Sequence, residues 1–223
     1  MDRDDPAYAG QSDYTRTLLM VYDRVVLGLV SWFVWRCSTS QLVDRYRQHI
    51  RDRHLDVGPG TGYFIERSGL PDRSRVTILD PNRNVLDHTS WRLRRLDVTA
   101  VEADVLKPLP VDGPFDSAAL HLVIHCLPGP SSRKGLAVAN VAAVLAPTGV
   151  LFGASVLGTS GSHSWLARRV LGVFNRRGAF DNLDDSEDGL REMLEASFER
   201  VELGTLGSVA IFAAKNPRAT TSQ

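Results

Sequence analysis

The residues best placed for chemistry are acids and histidines that follow short apolar runs. In HLDVGPGTGYF (54–64) an apolar run reaches Asp56, and Gly58, Gly60 and Gly62 follow at alternate positions. Glycine permits φ > 0 and lets the backbone approach a bound molecule with no Cβ in the way. The spacing G-x-G-x-G lacks the G-x-G-x-x-G of dinucleotide-binding turns, which disfavours a pyrophosphate guest. Asp56 argues the same way, because a carboxylate there repels phosphate and suits an ammonium group. VTILD (76–80) ends in Asp80, where a carboxylate at a strand's C-terminal edge can accept both hydroxyls of a ribose. Asp80-Pro81-Asn82 also reads as a helix start, with Asp80 as its cap. Asp104, after the third β-rich run, can meet an exocyclic amine. An amine, a ribose and an adenine are thus implied in a row.

Histidines supply the candidate bases. His125 follows the fourth strand at the carboxyl edge, and its unperturbed pKa near neutrality suits proton transfer, with a packing role as the alternative. His121, four residues earlier, falls at that strand's end, where it can pack beside a bound ligand. His163 lies on a later loop, where a structural role leads and contact with a substrate is the alternative, and Cys126 reads as buried filler.

These residues need a scaffold of alternating elements. Residues 1–12 read as a tail, and 14–50 carry helix-like spacing (Leu18, Leu19, Tyr22, Val25, Val26, then Leu42, Val43, Tyr46), which predicts two or three helices before any strand. From His54 the texture changes to β-rich runs, HLDV, VTILD, DVTAVEA (97–103), FDSAALHLV (115–123) and GVLFGASV (149–156), alternating with helical segments. That alternation predicts a doubly wound, mostly parallel α/β sheet. SSRKGLAVANVAAVLA (131–146) reads as a crossover helix opening on a Ser cap and ending before Pro147 and Gly149. FERVELGTL and SVAIFAAKN flank Gly207 with a gap too short for a crossover, which predicts an antiparallel hairpin closing the sheet.

The segments LDVGPGTG, ILDPN (78–82), EADVLKPLP (102–110) and FDSAALHLVIHCLPG (115–129), in this order and spacing, resemble the class I S-adenosylmethionine-dependent methyltransferases over roughly residues 50–215. The resemblance implies a seven-stranded Rossmann-like methyltransferase fold with S-adenosyl-L-methionine as cofactor. It implies that Asp56, Gly58, Pro59 and Gly60 border the methionine moiety, and that Asp80, followed by Pro81 and Asn82, holds the ribose. Asp104 would face the adenine amine with the Val105 backbone beside the ring, and the 120–125 segment, with His121, would line the methyl-transfer mouth. The expected organisation is a tail and helical cover (1–50), a cofactor-binding domain (51–216) with an acceptor-site insert at about 157–188, and a frayed tail (217–223).

In this family the N-terminal helices and the insert commonly cover the mouth, and here both are aromatic. Tyr14, Tyr22, Trp32, Phe33 and Trp35 lie in the first, and His163, Trp165 and Phe174 in the second. Core packing explains such residues more often than a pocket does; as a pocket they imply an apolar or aromatic small acceptor. Lys+Arg and Asp+Glu are both 26 among 223 residues, so no whole-protein field gathers nucleic acid or an acidic membrane surface. The pairs Arg168-Arg169 and Arg176-Arg177 read as a solvated face. Cys37 and Cys126 have no metal-ligand spacing, and no metal site is expected; they suit reduced thiols in a cytoplasmic protein. The apolar run from Val25 is too short for a membrane span. The expected activity is methyl transfer to oxygen or nitrogen of a specialised metabolite. Its rivals are an RNA or protein methyltransferase and a non-enzymatic cofactor-binding protein. The fourth strand ends in LHLV where amino-methylating nucleic-acid enzymes tend to carry an Asn- or Asp-Pro-Pro-aromatic signature.

Overall fold

A computed structural model describes residues 34–159 and 163–218. Helix α1 (Thr39–His49) opens on Ser38, whose hydroxyl accepts from the Gln41 N–H while the Gln41 side chain reaches back to the Ser38 N–H, a reciprocal capping box. Its buried residues Leu42, Val43, Tyr46 and His49 recur at helical spacing and face the sheet. The chain then alternates: β1 (Arg53–Val57), α2 (Tyr63–Arg67), β2 (Arg75–Asp80), α3 (Arg83–Arg92), β3 (Asp97–Glu102), β4 (Phe115–His121), a 3₁₀ turn (Ile124–Cys126), α4 (Ser131–Ala142), β5 (Leu145–Val156), α5 (Trp165–Arg176), α6 (Glu187–Ser197), β6 (Phe198–Leu206) and β7 (Val209–Pro217).

The seven strands run in the order β3-β2-β1-β4-β5-β7-β6. β1 to β5 are parallel, and β7 pairs antiparallel with both β5 and β6. The predicted C-terminal hairpin is present, with β7 inserted between its partner and β5. Two apolar layers follow from the period of two along the strands. Ile78, Ala119 and Phe152 pack with Tyr46, Phe64 and Leu86, so α1, α2 and α3 cover one face. Leu55, Leu120 and Leu151 pack with Val138, Val141, Leu190 and Leu194, so α4 and α6 cover the other.

Several local expectations differ from what the fold shows. Ser131 is the first helical residue of α4 rather than its cap; Pro130 occupies the cap position, with no side-chain hydrogen bond. β5 begins four residues before Gly149, because Leu145 pairs with Phe115 ahead of a register shift. Helix α6 is not among the elements expected from sequence. Of the expected N-terminal helices, α1 is present; Tyr14, Tyr22, Trp32 and Phe33 lie outside the described residues.

Candidate active site

Parallel register carries the candidate residues to one edge. Asp56 pairs with Ile78 and Ala119, and Val57 with Leu79 and Leu120. The next row therefore holds Asp80, Gly58 and His121 side by side, just past the last paired residue of β1, on the face that α1 and α2 cover. The Gly58 N–H donates to the Leu79 carbonyl at 2.8 Å and closes that row.

Backbone geometry shows why two of the glycines are needed. Gly58 has φ 64°, and a Cβ there would sit 2.6 Å from Val123 Cγ2, so any side chain would push the β4 loop away from the turn. Gly60 has φ 57°, and a Cβ there would meet no atom within 4 Å, so its bare backbone faces open space. Helix α3 pins the turn from behind: Thr89 Oγ1 donates to the Gly60 carbonyl at 2.8 Å, and Arg92 Nη1 to that of Thr61 at 3.2 Å. Pro59 accepts at its carbonyl from the Gly62 N–H, 2.9 Å away.

Asp80 is not the cap of α3. Asn82 is: its Oδ1 accepts from the Asn84 N–H at 3.0 Å, while Asp80 Oδ1 accepts from the Asn82 N–H at 2.8 Å. Pro81 only bridges the two. Burial lifts the Asp80 carboxyl to about 7, and the single Asn82 N–H pulls it down too little to compensate. A carboxylate with one donor and spare lone pairs at a strand end fits a pair of ribose hydroxyls. Asp104 is half-buried and accepts from the Leu106 N–H at 2.9 Å, and Asn140 Nδ2 holds the Val105 carbonyl at 2.9 Å, which fixes the loop beyond β3.

Asp56 differs from the open carboxylate that its position beside the glycines suggests. It is only 1% exposed, and its Oδ2 accepts from Tyr46 Oη at 2.9 Å and lies 3.3 Å from His54 Nε2. Neither Tyr46 nor His54 stands out as a site residue in the sequence. His54 is legible in principle, two residues before Asp56 on the same strand face, whereas Tyr46 arrives from another element.

The histidines separate by environment. His121 is buried edge-on against Phe64 (4.5 Å between centroids) and Tyr46 (5.1 Å), with no partner at either ring nitrogen among the described residues. Burial, with a contribution from Arg45, lowers it to about 3, so it is neutral. An orphaned polar ring in the row with Gly58 and Asp80 is a second place where the site fits a polar guest. His125 is 3% exposed beneath Phe180 (4.4 Å), and its Nδ1 accepts from the Val156 N–H at 3.3 Å. The proton therefore resides on Nε2, a donor. Burial first, then Lys134 and His121, lower its pKa to about 3. A ring so committed is poorly suited to accept a proton, which favours the packing or orienting role over the base.

His163 does not stand free for a substrate. It is buried, with Nδ1 2.9 Å from Ser208 Oγ and Nε2 2.8 Å from the Leu157 carbonyl, and so ties the insert to the β6–β7 turn. Trp165 is 69% exposed at the start of α5, turned away from the core. Trp35 is buried beside Phe180, and its carbonyl accepts from the Ser208 N–H at 2.9 Å. Cys126 is exposed rather than buried. Sequence patterns do not mark Phe180, which brings Trp35, Phe174 and His125 together. Nor do they mark the fully buried Lys134, whose Nζ lies 2.7 Å from both Asp185 oxygens and donates to the Asp181 carbonyl. Partners 51 residues apart leave no local signal. Among the described residues no group of three or more His, Cys, Asp or Glu could hold a metal, and no helix is long and apolar enough to cross a membrane.

Comparison with known proteins agrees with this geometry. A family model described as a methyltransferase domain matches residues 55–151. Demethylluteothin O-methyltransferase of Streptomyces thioluteus is 37% identical over 213 residues, covering 95% of this chain and 93% of that protein. The physcion biosynthesis cluster O-methyltransferase of Aspergillus chevalieri is 34% identical over 216 residues, covering 96% and 97%. The N-methyltransferase NodS of Bradyrhizobium japonicum, solved with S-adenosyl-L-homocysteine, shares the fold with a TM-score of 0.56 at 18% identity, over 78% of this chain and 87% of that one. With relatives this similar along nearly the whole chain, and with the row of Gly58, Asp80 and His121 at the carboxyl edge of a seven-stranded sheet, the chain belongs to the class I S-adenosylmethionine-dependent methyltransferases.

Proposed function

We propose that this chain binds S-adenosyl-L-methionine along Gly58, Gly60, Asp80 and Asp104 and methylates oxygen or nitrogen of a small apolar or aromatic specialised metabolite. The observation that carries the reading is Asp80, a carboxylate at a strand end with one donor and a raised pKa, level with the glycine turn and the orphaned His121. Relatives named for O- and N-methylation of secondary metabolites support a small-molecule acceptor. We place the protein in the cytoplasm, with a cover before residue 51, the cofactor domain over 51–216 and the acceptor-site insert at about 157–188.

The cofactor supplies an electrophilic sulfonium methyl. The chain's own task is to hold an acceptor in line and exclude water. Trp35, Phe174 and Phe180 supply an apolar wall, and the His125 Nε2–H supplies a donor that orients an acceptor oxygen. Tyr14, Tyr22 and Trp32 remain proposed contributors from outside the described residues. His125→Gln should then lower kcat by no more than about tenfold, because a general base would contribute roughly 10²–10⁴. Steady-state kinetics across pH 6–9 checks this; a loss in the larger range with unchanged cofactor affinity would establish the base. The activity itself is tested by incubating the protein with isotopically labelled S-adenosylmethionine and host metabolite extract. Label in a low-molecular-weight product is expected; label only in RNA or protein would redirect the reading.

A further inference from the structure

Asp56 stands at the centre of a hydrogen-bonded chain that the cofactor-binding glycines do not require. The Arg51 N–H donates to Ser117 Oγ at 2.8 Å, and Ser117 Oγ lies 2.9 Å from His54 Nδ1. Where the Ser117 hydroxyl donates to Nδ1, the ring hydrogen sits on Nε2 and donates to Asp56 Oδ2, the arrangement that satisfies both contacts. Tyr46 donates to the same oxygen from α1. Oδ2 thus has two donors, while Oδ1 has none among the described residues. All three side chains, Tyr46, His54 and Asp56, are at most 2% exposed, and Asp56 lies one pleat beneath the row of Asp80, Gly58 and His121, with His54 one pleat further down. The Tyr46 ring is itself fixed, stacked on Phe64 at 5.4 Å and edge-on to His121 at 5.1 Å and Phe152 at 5.0 Å.

Two donors on one oxygen and none on the other orient a carboxylate. A relay serving only to dock α1 on β1 has no need of an acid, since a neutral acceptor would take both donors, and Asp56 Oδ1 is left free of hydrogen bonds from the described residues. The geometry points to Tyr46 and His54 as positioning residues: they turn Asp56 so that its remaining oxygen receives the ammonium group of the methyl donor's amino-acid tail. Helix α1, which lies outside the sheet, thereby sets affinity for that tail alone. This rests on the functional reading above.

Tyr46→Phe removes one hydroxyl and keeps the ring contacts. Calorimetry with S-adenosylhomocysteine and with its analogue lacking the amino group separates orientation from general support. The variant should bind S-adenosylhomocysteine about 10–100-fold more weakly, as expected for losing a hydrogen bond to a charged group, and the deaminated analogue as well as the parent does. KM for S-adenosylmethionine should rise in parallel with kcat within about twofold at saturation. Ser117→Ala, which frees the His54 tautomer, should show the same ligand selectivity at smaller amplitude, and it carries the test if Tyr46→Phe fails to fold. Equal losses for both ligands, or no loss for either, would overturn the inference. Failure of the parent protein to bind S-adenosylhomocysteine at all would instead overturn the functional reading beneath it.

Discussion

Asp185→Ala is expected to cost about 3–5 kcal/mol of folding stability, as for removing one partner of a buried ion pair. Lys134 has no exposed surface, and the Asp185 carboxylate supplies two of the oxygens that its ammonium meets, so the truncation leaves a buried charge facing the Asp181 carbonyl without its counter-ion. Burial raises the Asp185 carboxyl even with Lys134 beside it, the sign of a pair whose desolvation is only partly offset. The same contact secures the insert. Lys134 also holds the Asp181 carbonyl, the Asp181 N–H donates to the His125 carbonyl, and the Gly158 and Thr159 N–H groups donate to the Asp185 carbonyl. Urea unfolding should show the loss as a lower midpoint, and heating as a Tm drop of about 10 °C. The double variant Lys134→Met with Asp185→Leu should recover most of the stability, because it leaves no orphaned charge. A single variant within about 1 kcal/mol of the parent would show that water reaches the site and that the clamp is weak.

Acid should destabilise this protein steeply between pH 6.5 and about 5. His49, His121 and His125 are each at most 5% exposed, and burial is the leading cause that lowers them to about 4, 3 and 3. Folded values below the unfolded value mean that the unfolded chain binds more protons in this window, so stability is present above pH 6.5 and lost as pH falls toward the folded values. Asp80, raised to about 7, and Asp185, also raised, act the other way: their contribution is lost as pH rises. One proton is worth about 1.4 kcal/mol per pH unit, so three histidines less the carboxyl offset give a slope of roughly 2–3 kcal/mol per unit. Unfolding midpoints at pH 7.5, 6.5 and 5.5 at fixed ionic strength measure it. His49 Nε2 has no hydrogen-bond partner, so His49→Leu should fold and flatten the slope by about one proton. Constant stability from pH 7.5 to 5.5 would show that these rings titrate freely in the folded state.

What is legible in the sequence is whatever depends on neighbours along the chain. The parallel strands, the glycine turn, Asp80 and the closing hairpin each carry a local pattern, and each stands where that pattern places it. Side-chain environments do not read through, because they depend on which elements meet. Asp56 looks like an open carboxylate until Tyr46 comes in from α1, and for His125 the sequence offers both a base and a packing role without showing that the Val156 N–H takes its Nδ1. His163 resembles a substrate ligand in a loop; Ser208, 45 residues later, satisfies it. Trp165 belongs to an amphipathic helix whose apolar side is carried by Ala167 and Leu171, so the tryptophan itself falls on the outer face. The register of α4 by one residue at its start, and the early start of β5, turn on caps and pairings that composition does not distinguish.

Isothermal titration of the purified protein with S-adenosylhomocysteine and, separately, with NAD tests most directly that the row of Gly58, Asp80 and His121 is a methyl-donor site. S-adenosylhomocysteine should bind at one site per chain and NAD should give no saturable heat, with Asp80→Ala weakening the first by about 1.5–3 kcal/mol through loss of a carboxylate hydrogen-bonded to ribose. Saturable NAD binding with no response to S-adenosylhomocysteine would contradict the account.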